Sequence, residues 1–299
     1  MKPASTPGPG RRAALALAFV AVAVPLAASA GPANLFYERT LMSAAGERCG
    51  LFTPAVANAL LASSRQAKGA ALRGGASAES LRSVEDRARS VALSTPCDGP
   101  DLATAAGRVR AAFTGYSQVT SMDFPGAFGS WRADRRSLAK DGANWRLSQT
   151  ARASGGSIVF GMAADGPGAP ALTAVATSPG AAAAASARLV LRDPAKAAAP
   201  YIDTRRTDLG GRATPRFVSQ IFMAMAKSGA PLGLSPAGAV NATSFRFPEA
   251  AAKALESLDP REAVTLELVY PTRTGERVET TLFEVGDFAA GRAFLAATR

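Results

Sequence analysis

The apolar residues of this chain change their spacing once, near residues 123–129, and that change sets what the chain can fold into. Before it they recur at helical steps of three and four; beyond it they come in short alternating runs separated by Gly, Ser and Pro. A chain that changes period once reads as helices followed by strands, an α+β architecture. The expected plan is an N-terminal four-helix, disulfide-tied bundle over 31–122 and a linker over 123–130. An antiparallel sheet with helices over 131–299 completes it.

The helical part carries clear punctuation. The first helix runs over about 33–45, with Leu35, Leu41, Met42 and Ala45 as its stripe. The second opens at Thr53-Pro54, an N-cap followed by Pro at the first helical position, and stops at Gly74-Gly75. The third is capped by Ser77, has Glu79 in its first turn and packs through Leu81, Val84, Ala88 and Val91. The fourth starts at Asp101 and turns Leu102, Ala105, Val109, Ala112, Phe113 and Tyr116 inward. The charged residues Arg65, Lys68, Arg73, Arg82, Arg87, Arg89, Arg108 and Arg110 are assigned to solvated outer faces. Of the whole chain's residues, 68 are alanine and only 7% are aromatic, so the helix contacts are expected to be thin.

Strands are expected at 145–150, 158–163, 172–177 and 188–191, with a hairpin turn at Gly155-Gly156 and a loop over 165–170. Residues 180–186 read as loop or a helical turn. Thr214-Pro215 repeats the cap-plus-Pro signal, and Phe217, Val218, Ile221, Phe222 and Met225 predict a helix ending near Ser228-Gly229. In the last 70 residues two similar units follow one another at an offset of 38 residues between Phe245 and Phe283: a strand, a short break, then an Ala/Leu helix. Residues 263–270 and 277–285 form a hairpin about Thr274-Gly275.

The run Met223–Leu258, in which MAMAKSG, PLGLS and SFRFPEAAAKALESL follow in order, resembles the exported invasion-associated protein B family. That resemblance implies a small secreted β-sandwich. The cysteine pairs expected of that family are absent, and the resemblance carries no catalytic residue onto this chain. The N-terminal part is similar to exported bacterial proteins of the same plan.

Residues 1–30 read as an address. Lys2, Arg11 and Arg12 form a positive start, Ala13–Leu26 is uncharged and apolar, and Ala28-Ser29-Ala30 supplies the small-x-small pattern of signal peptidase. About 20 apolar residues are needed to span a bilayer, more than this stretch provides. Cleavage after Ala30 and a periplasmic location are expected, with no integral membrane segment afterwards. Arg11-Arg12 leaves the twin-arginine route open. Removal of the leader lowers the net charge from +11 to +8. In an oxidising compartment the two cysteines, Cys49 and Cys97, pair as a disulfide.

The chain contains no histidine, which excludes Ser-His-Asp and Cys-His triads, and two cysteines are too few for a Cys-rich metal site. No cofactor is expected. The remaining catalytic candidates are carboxylates, Asp134, Asp141, Asp203 and Asp208, and a Ser-Lys dyad drawing on Lys68, Lys140, Lys196, Lys227 or Lys253. Nothing in their spacing brings two acids together. One cluster suits binding: Arg132, Arg135, Arg136, Lys140, Arg146 and Arg152 stand among Trp131 and Trp145, opposed by two acids. Arginine forks with flat aromatics fit an anionic envelope glycan or lipid, while export argues against nucleic acid. The candidate binding residues are therefore Trp131, Arg132, Arg135, Arg136, Trp145 and Arg146; the other reading of the same stretch makes Trp131 and Trp145 core anchors and leaves the arginines solvated. The expected function is an exported, non-enzymatic binding or envelope-interaction protein. The alternatives are a carboxylate-based hydrolase of an envelope polymer and a purely structural partner with a large exposed apolar face.

Overall fold

The computed structural model describes residues 31–136, 142–153, 156–166, 168–177, 183–203, 205–236, 239 and 241–297, which belong to one compact unit from Gly31 onward. The proposed leader, Lys140, Asp141, Ser154-Gly155 and residues 180–182 lie outside the described residues, while 183–185 are irregular and Ser186 opens a strand.

Four helices come first: α1 (Pro32–Cys49), α2 (Pro54–Arg73), α3 (Ala78–Ser94) and α4 (Pro100–Tyr116). Their starts follow local chemistry. The Thr53 hydroxyl accepts the Val56 N–H at 3.5 Å, the Ser77 hydroxyl accepts that of Ser80 at 3.0 Å, and Pro occupies the first turn of α1, α2 and α4. The cap of α4 is Gly99 rather than Asp101, because Pro100 takes the first helical position and moves the start forward; Asp101 becomes a first-turn acid. Helix α2 buries its whole stripe, Val56, Leu60, Ala67 and Ala71. Helix α3 buries Leu81 and Ala88 but leaves Val91 exposed, and α4 buries only Leu102 and Ala106. The inward stripe expected of α4 is thus covered at its start and left open along its second half.

Cys49 at the end of α1 and Cys97 before α4 form the disulfide, with Cα atoms 5.5 Å apart. Ala45, Ala92 and Leu102 are buried beside it.

Strands follow: β1 (Ser121–Pro125), β2 (Ser130–Asp134), β3 (Asn144–Ala153), β4 (Gly156–Ala164), β5 (Ala171–Thr177), β6 (Ser186–Arg192), β7 (Ser219–Met223), β8 (Ala226–Gly229) and β9 (Ala242–Arg246). Helix α5 (Glu249–Glu256), strands β10 (Ala263–Thr272) and β11 (Gly275–Glu284), and helix α6 (Phe288–Ala296) complete the chain. They build two antiparallel sheets, ordered β1-β2-β3-β4-β5-β9-β8 and β11-β10-β6-β7. The inner faces share one core, where Phe160 of β4 meets Phe283 of β11 with ring centroids 5.0 Å apart. Helix α6 closes one end of that core through Phe288 and Phe294, and α2 lies on α6.

Two expectations change. The segment 123–130, read as a linker, is the end of β1, a turn and the start of β2, with Asp123 opposite Arg132 and Pro125 opposite Ser130. Its Pro and Gly residues punctuate a hairpin rather than separate two bodies. The helix expected after Thr214-Pro215 is a single short turn followed by β7 and β8. The exposed backbone edge of β6 supplies a ladder only an extended chain can satisfy, so pairing overrides the helical spacing. Phe217, Ile221, Met223 and Met225 are left exposed as a result. The two strand–helix units exist, but β9 and β11 lie in different sheets, with Phe245 and Phe283 both fully buried.

Replacing both Cys49 and Cys97 with Ala is expected to lower the unfolding free energy by about 4 kcal/mol through the longer unconstrained unfolded chain. Urea unfolding of parent and variant measures it; equal midpoints would show that the crosslink contributes nothing.

Candidate functional site

The two tryptophans expected to form a binding patch are set on opposite faces of the sheet by a β-bulge in β3. Trp131 points into the core: it is fully buried, its indole N–H donates to the Val285 carbonyl at 2.9 Å, and its ring meets Phe288 edge-on at 5.0 Å. It cannot serve as a ligand platform. Trp145 lies on the opposite face of the same sheet, half-buried beside Leu234 and donating to the Leu234 carbonyl at 3.0 Å. Plain alternation would set Trp145 on the face of Leu147 and Trp131, but a β-bulge between Trp145 and Leu147 inserts one extra residue and turns Trp145 to the other face.

The arginines of the cluster have internal duties. Arg132 pairs with Asp123 across the hairpin at 3.1 Å. Arg136 pairs with Asp134 at 2.5 Å, and Arg146 donates to the Arg136 carbonyl at 2.7 Å. Arg135 donates to the Phe294 carbonyl at 2.6 and 2.8 Å, where the last carbonyls of α6 attract a cation, and its guanidinium lies 3.5 Å over the Phe294 ring.

Of the candidate acids, Asp141 lies outside the described residues and the other three are each bound to a nearby arginine. Asp134 is tied to Arg136, Asp203 to Arg205 and Asp208 to Arg206, each two residues along the chain. Hydrogen bonds from those arginines hold all three carboxyls below their ordinary range, so they are poor proton donors at neutral pH. No group of three or more acidic or thiol residues able to hold a metal ion occurs among the described residues.

A different site emerges where the helices meet the strand-rich part. A cleft of about 370 Å³ lies between α2 and α3 on one side, and residues 256–260 and 285–290 on the other. Its cations are Arg65, Lys68, Arg82 and Arg192; its acids are Glu256, Asp259 and Asp287. Several of the arginines assigned to solvated helix faces therefore look toward the sheets. Arg65 donates to Glu256 at 2.5 Å and to the Ala289 carbonyl at 3.0 Å. Arg73, beside the cleft, grips Asp287 with two bonds of 2.9 Å. The Asp287 side chain is only 1% exposed. Gly69 lets α2 come this close, since a Cβ there would overlap the Asp287 carboxylate. Arg192 and Glu262 form a second buried fork, at 2.8 and 2.9 Å, below the cleft floor.

The cleft's acids are all engaged: Glu256 by Arg65 and Arg292, Asp259 by Arg261, Asp287 by Arg73. Of its cations, Arg65 and Arg192 are likewise engaged, by Glu256 and Glu262. Lys68 is partly exposed and reaches Glu85 at 3.4 Å, and Arg82 has no carboxylate partner among the described residues. The sequence marked these residues as basic but gave no sign of which helix face the sheets would cover. No protein-family model, curated protein or solved structure matches this chain.

Burial pushes the Asp287 carboxyl above its ordinary range, against the opposing pull of Arg73. An acid with a raised folded pKa binds more protons folded than unfolded, so its contribution to stability falls as pH rises. Arg73→Ala removes the only compensating charge and is expected to cost about 3 kcal/mol at pH 7. The deficit should shrink as pH falls and Asp287 takes up a proton. Thermal melts of parent and variant across pH 4–8 test this; a deficit that grows in acid would reverse the assignment.

Proposed function

We propose that the protein is an exported, non-enzymatic binding protein that holds an anionic component of the cell envelope in the cleft between α2, α3 and the strand-rich part. The observation that carries this is the asymmetry of the cleft's charges. Every acid there is satisfied by an arginine of the fold, while among the described residues Arg82 has no carboxylate partner and Lys68 has only Glu85, at 3.4 Å and outside the cleft lining. The chain's excess of 34 basic over 23 acidic residues adds a long-range attraction of the same sign. Phosphate or carboxylate groups on an envelope glycan or lipid headgroup have the matching chemistry.

Three readings from the sequence support the export part of the proposal. They are a charged start, an apolar stretch and a small-residue cleavage pattern, all within residues 1–30. The Cys49–Cys97 disulfide is compatible with it. No helix among the described residues is long and apolar enough to cross a membrane.

A carboxylate-based hydrolase remains the alternative suggested by three acids in one cleft. Such an enzyme needs one acid that is protonated and within reach of substrate. Asp287 is the acid with a raised pKa, yet both its oxygens are bound to Arg73 and its side chain is covered.

The double variant Lys68→Ala/Arg82→Ala is expected to weaken retention on an immobilised polyuronate or on vesicles of anionic phospholipid by about tenfold, with melting temperature unchanged. The two matrices separate the glycan from the lipid source. Retention equal to the parent on both would remove the cleft from consideration. Release of reducing ends from the polymer by the parent, lost in a Glu256→Gln variant, would favour the hydrolase.

A further inference from the structure

The second half of α4 leaves an opening that the first half does not. Leu102 and Ala106 are buried, but Val109, Phe113 and Tyr116 are only half covered and Ala112 is exposed. Facing them across the gap are Val56, Ala59 and Leu60 of α2. The gap is a groove of about 360 Å³, apolar along its floor and open to solvent. This is the scale of a site for one small ligand.

The polar groups of the groove are of one sign. Arg39 reaches in from α1 and Arg108 from α4, and no acidic residue lines it. One arm of the Arg39 guanidinium donates to the Ser63 carbonyl at 2.7 Å. The remaining N–H groups of that fork have no protein acceptor, and neither Arg39 nor Arg108 has an ion-pair partner, among the described residues. Glu38, the neighbour of Arg39, is exposed and outside ion-pair distance. Burial works against the Arg39 charge, lowering its pKa. The fold thus places a half-buried cation that has no ion-pair partner among the described residues, with only the exposed Glu38 charge nearby, against a strip of half-covered hydrocarbon.

We infer that this groove is a binding site for a single-chain amphiphile bearing a carboxylate, of the fatty-acid class, with its hydrocarbon chain between Val56, Leu60, Val109 and Phe113 and its carboxylate on Arg39 and Arg108. A planar carboxylate matches the guanidinium fork bidentately. An acyl chain supplies the apolar surface that α4 lacks, removing it from water. This site is separate from the cleft on the other side of α2, and nothing in its argument depends on the cleft binding anything.

Calorimetric titration of the purified protein tests it with three probes: dodecanoate below its micelle-forming concentration, dodecanol with the same chain but no charge, and acetate with the charge but no chain. Dodecanoate is expected to bind at least about tenfold more tightly than dodecanol, with acetate giving no heat. Arg39→Met should lower dodecanoate affinity about tenfold and leave dodecanol unchanged; Arg108→Gln, at an exposed position, gives the same test should the Arg39 variant fold poorly. Ala112→Trp, which fills the groove from an exposed position, should abolish binding of both long-chain probes. Equal affinity for dodecanoate and dodecanol, unaltered dodecanoate binding in Ala112→Trp, or no binding of dodecanoate would overturn the inference.

Discussion

Four consecutive residues, Glu284 to Asp287, join helix α2, the β1–β2 hairpin and the chain around Pro260 to the start of α6. The Glu284 carboxylate is 1% exposed and accepts the backbone N–H groups of Ala127, Phe128 and Gly129 at 2.8, 2.7 and 2.8 Å. It thereby fixes the turn between the first two strands. The carbonyls of Glu284 and Val285 accept the Trp131 indole. Gly286, at φ +48°, donates to the Pro260 carbonyl and turns the chain where a side chain would crowd Trp131. Asp287 then takes the Arg73 fork from α2. A buried carboxylate stripped of water is costly unless its oxygens are all occupied; here the two carboxylates are satisfied by two separate parts of the chain. Each part is therefore held where its donors are needed.

This weld explains why the helices and the sheets form one unit. The α2–α6 contact brings together small side chains, including Ala62 and Ala290, which pack closely but bury little area each. The charged clamps Arg65–Glu256 and Arg73–Asp287 flank that thin contact and set its register. Such pairs add specificity more reliably than stability. The cleft follows from the same geometry: it is the space left where α2 and α3 diverge from the loops entering α6.

Elements with a single dominant local signal were legible in the sequence. The caps at Thr53 and Ser77, the strands β3 to β6 and the hairpin about Thr274-Gly275 all follow from spacing and turn chemistry. The Cys49–Cys97 pairing followed from there being only two thiols. What was not legible depended on partners distant in sequence. Residues 217–225 carry a helical spacing that the open edge of β6 overrides. Trp131 and Trp145 are close in the chain yet lie on opposite faces of one sheet, because β3 carries a bulge between Trp145 and Leu147 that only its pairing with β4 reveals. Arg73 reads as one more surface arginine, because its partner Asp287 is 214 residues away. The candidate site was missed for that reason: its residues come from five separate segments, and only the basic helix faces gave any hint of it.

The same reasoning separates filled from unfilled surface on the helices. The chain has many alanines and few aromatics, so it closes helix contacts by approach rather than by bulk. That works where a crosslink or an ion pair draws helices together. Near the Cys49–Cys97 bridge Leu102 and Ala106 of α4 are buried, and along α2 the clamps to the sheets bury the whole stripe. Beyond Ala106 no such tie draws α4 onto α2. Arg110 reaches back only to the Leu51 carbonyl and the Phe52 ring, while Tyr116 is drawn away toward Phe294 and Arg135. With α4 anchored at both ends to different neighbours, the helix spans the gap above Val56, Ala59 and Leu60 instead of closing it. The groove between α2 and α4 is thus a consequence of where the ties fall, and its apolar floor is the part of the α4 stripe that the fold leaves without a partner.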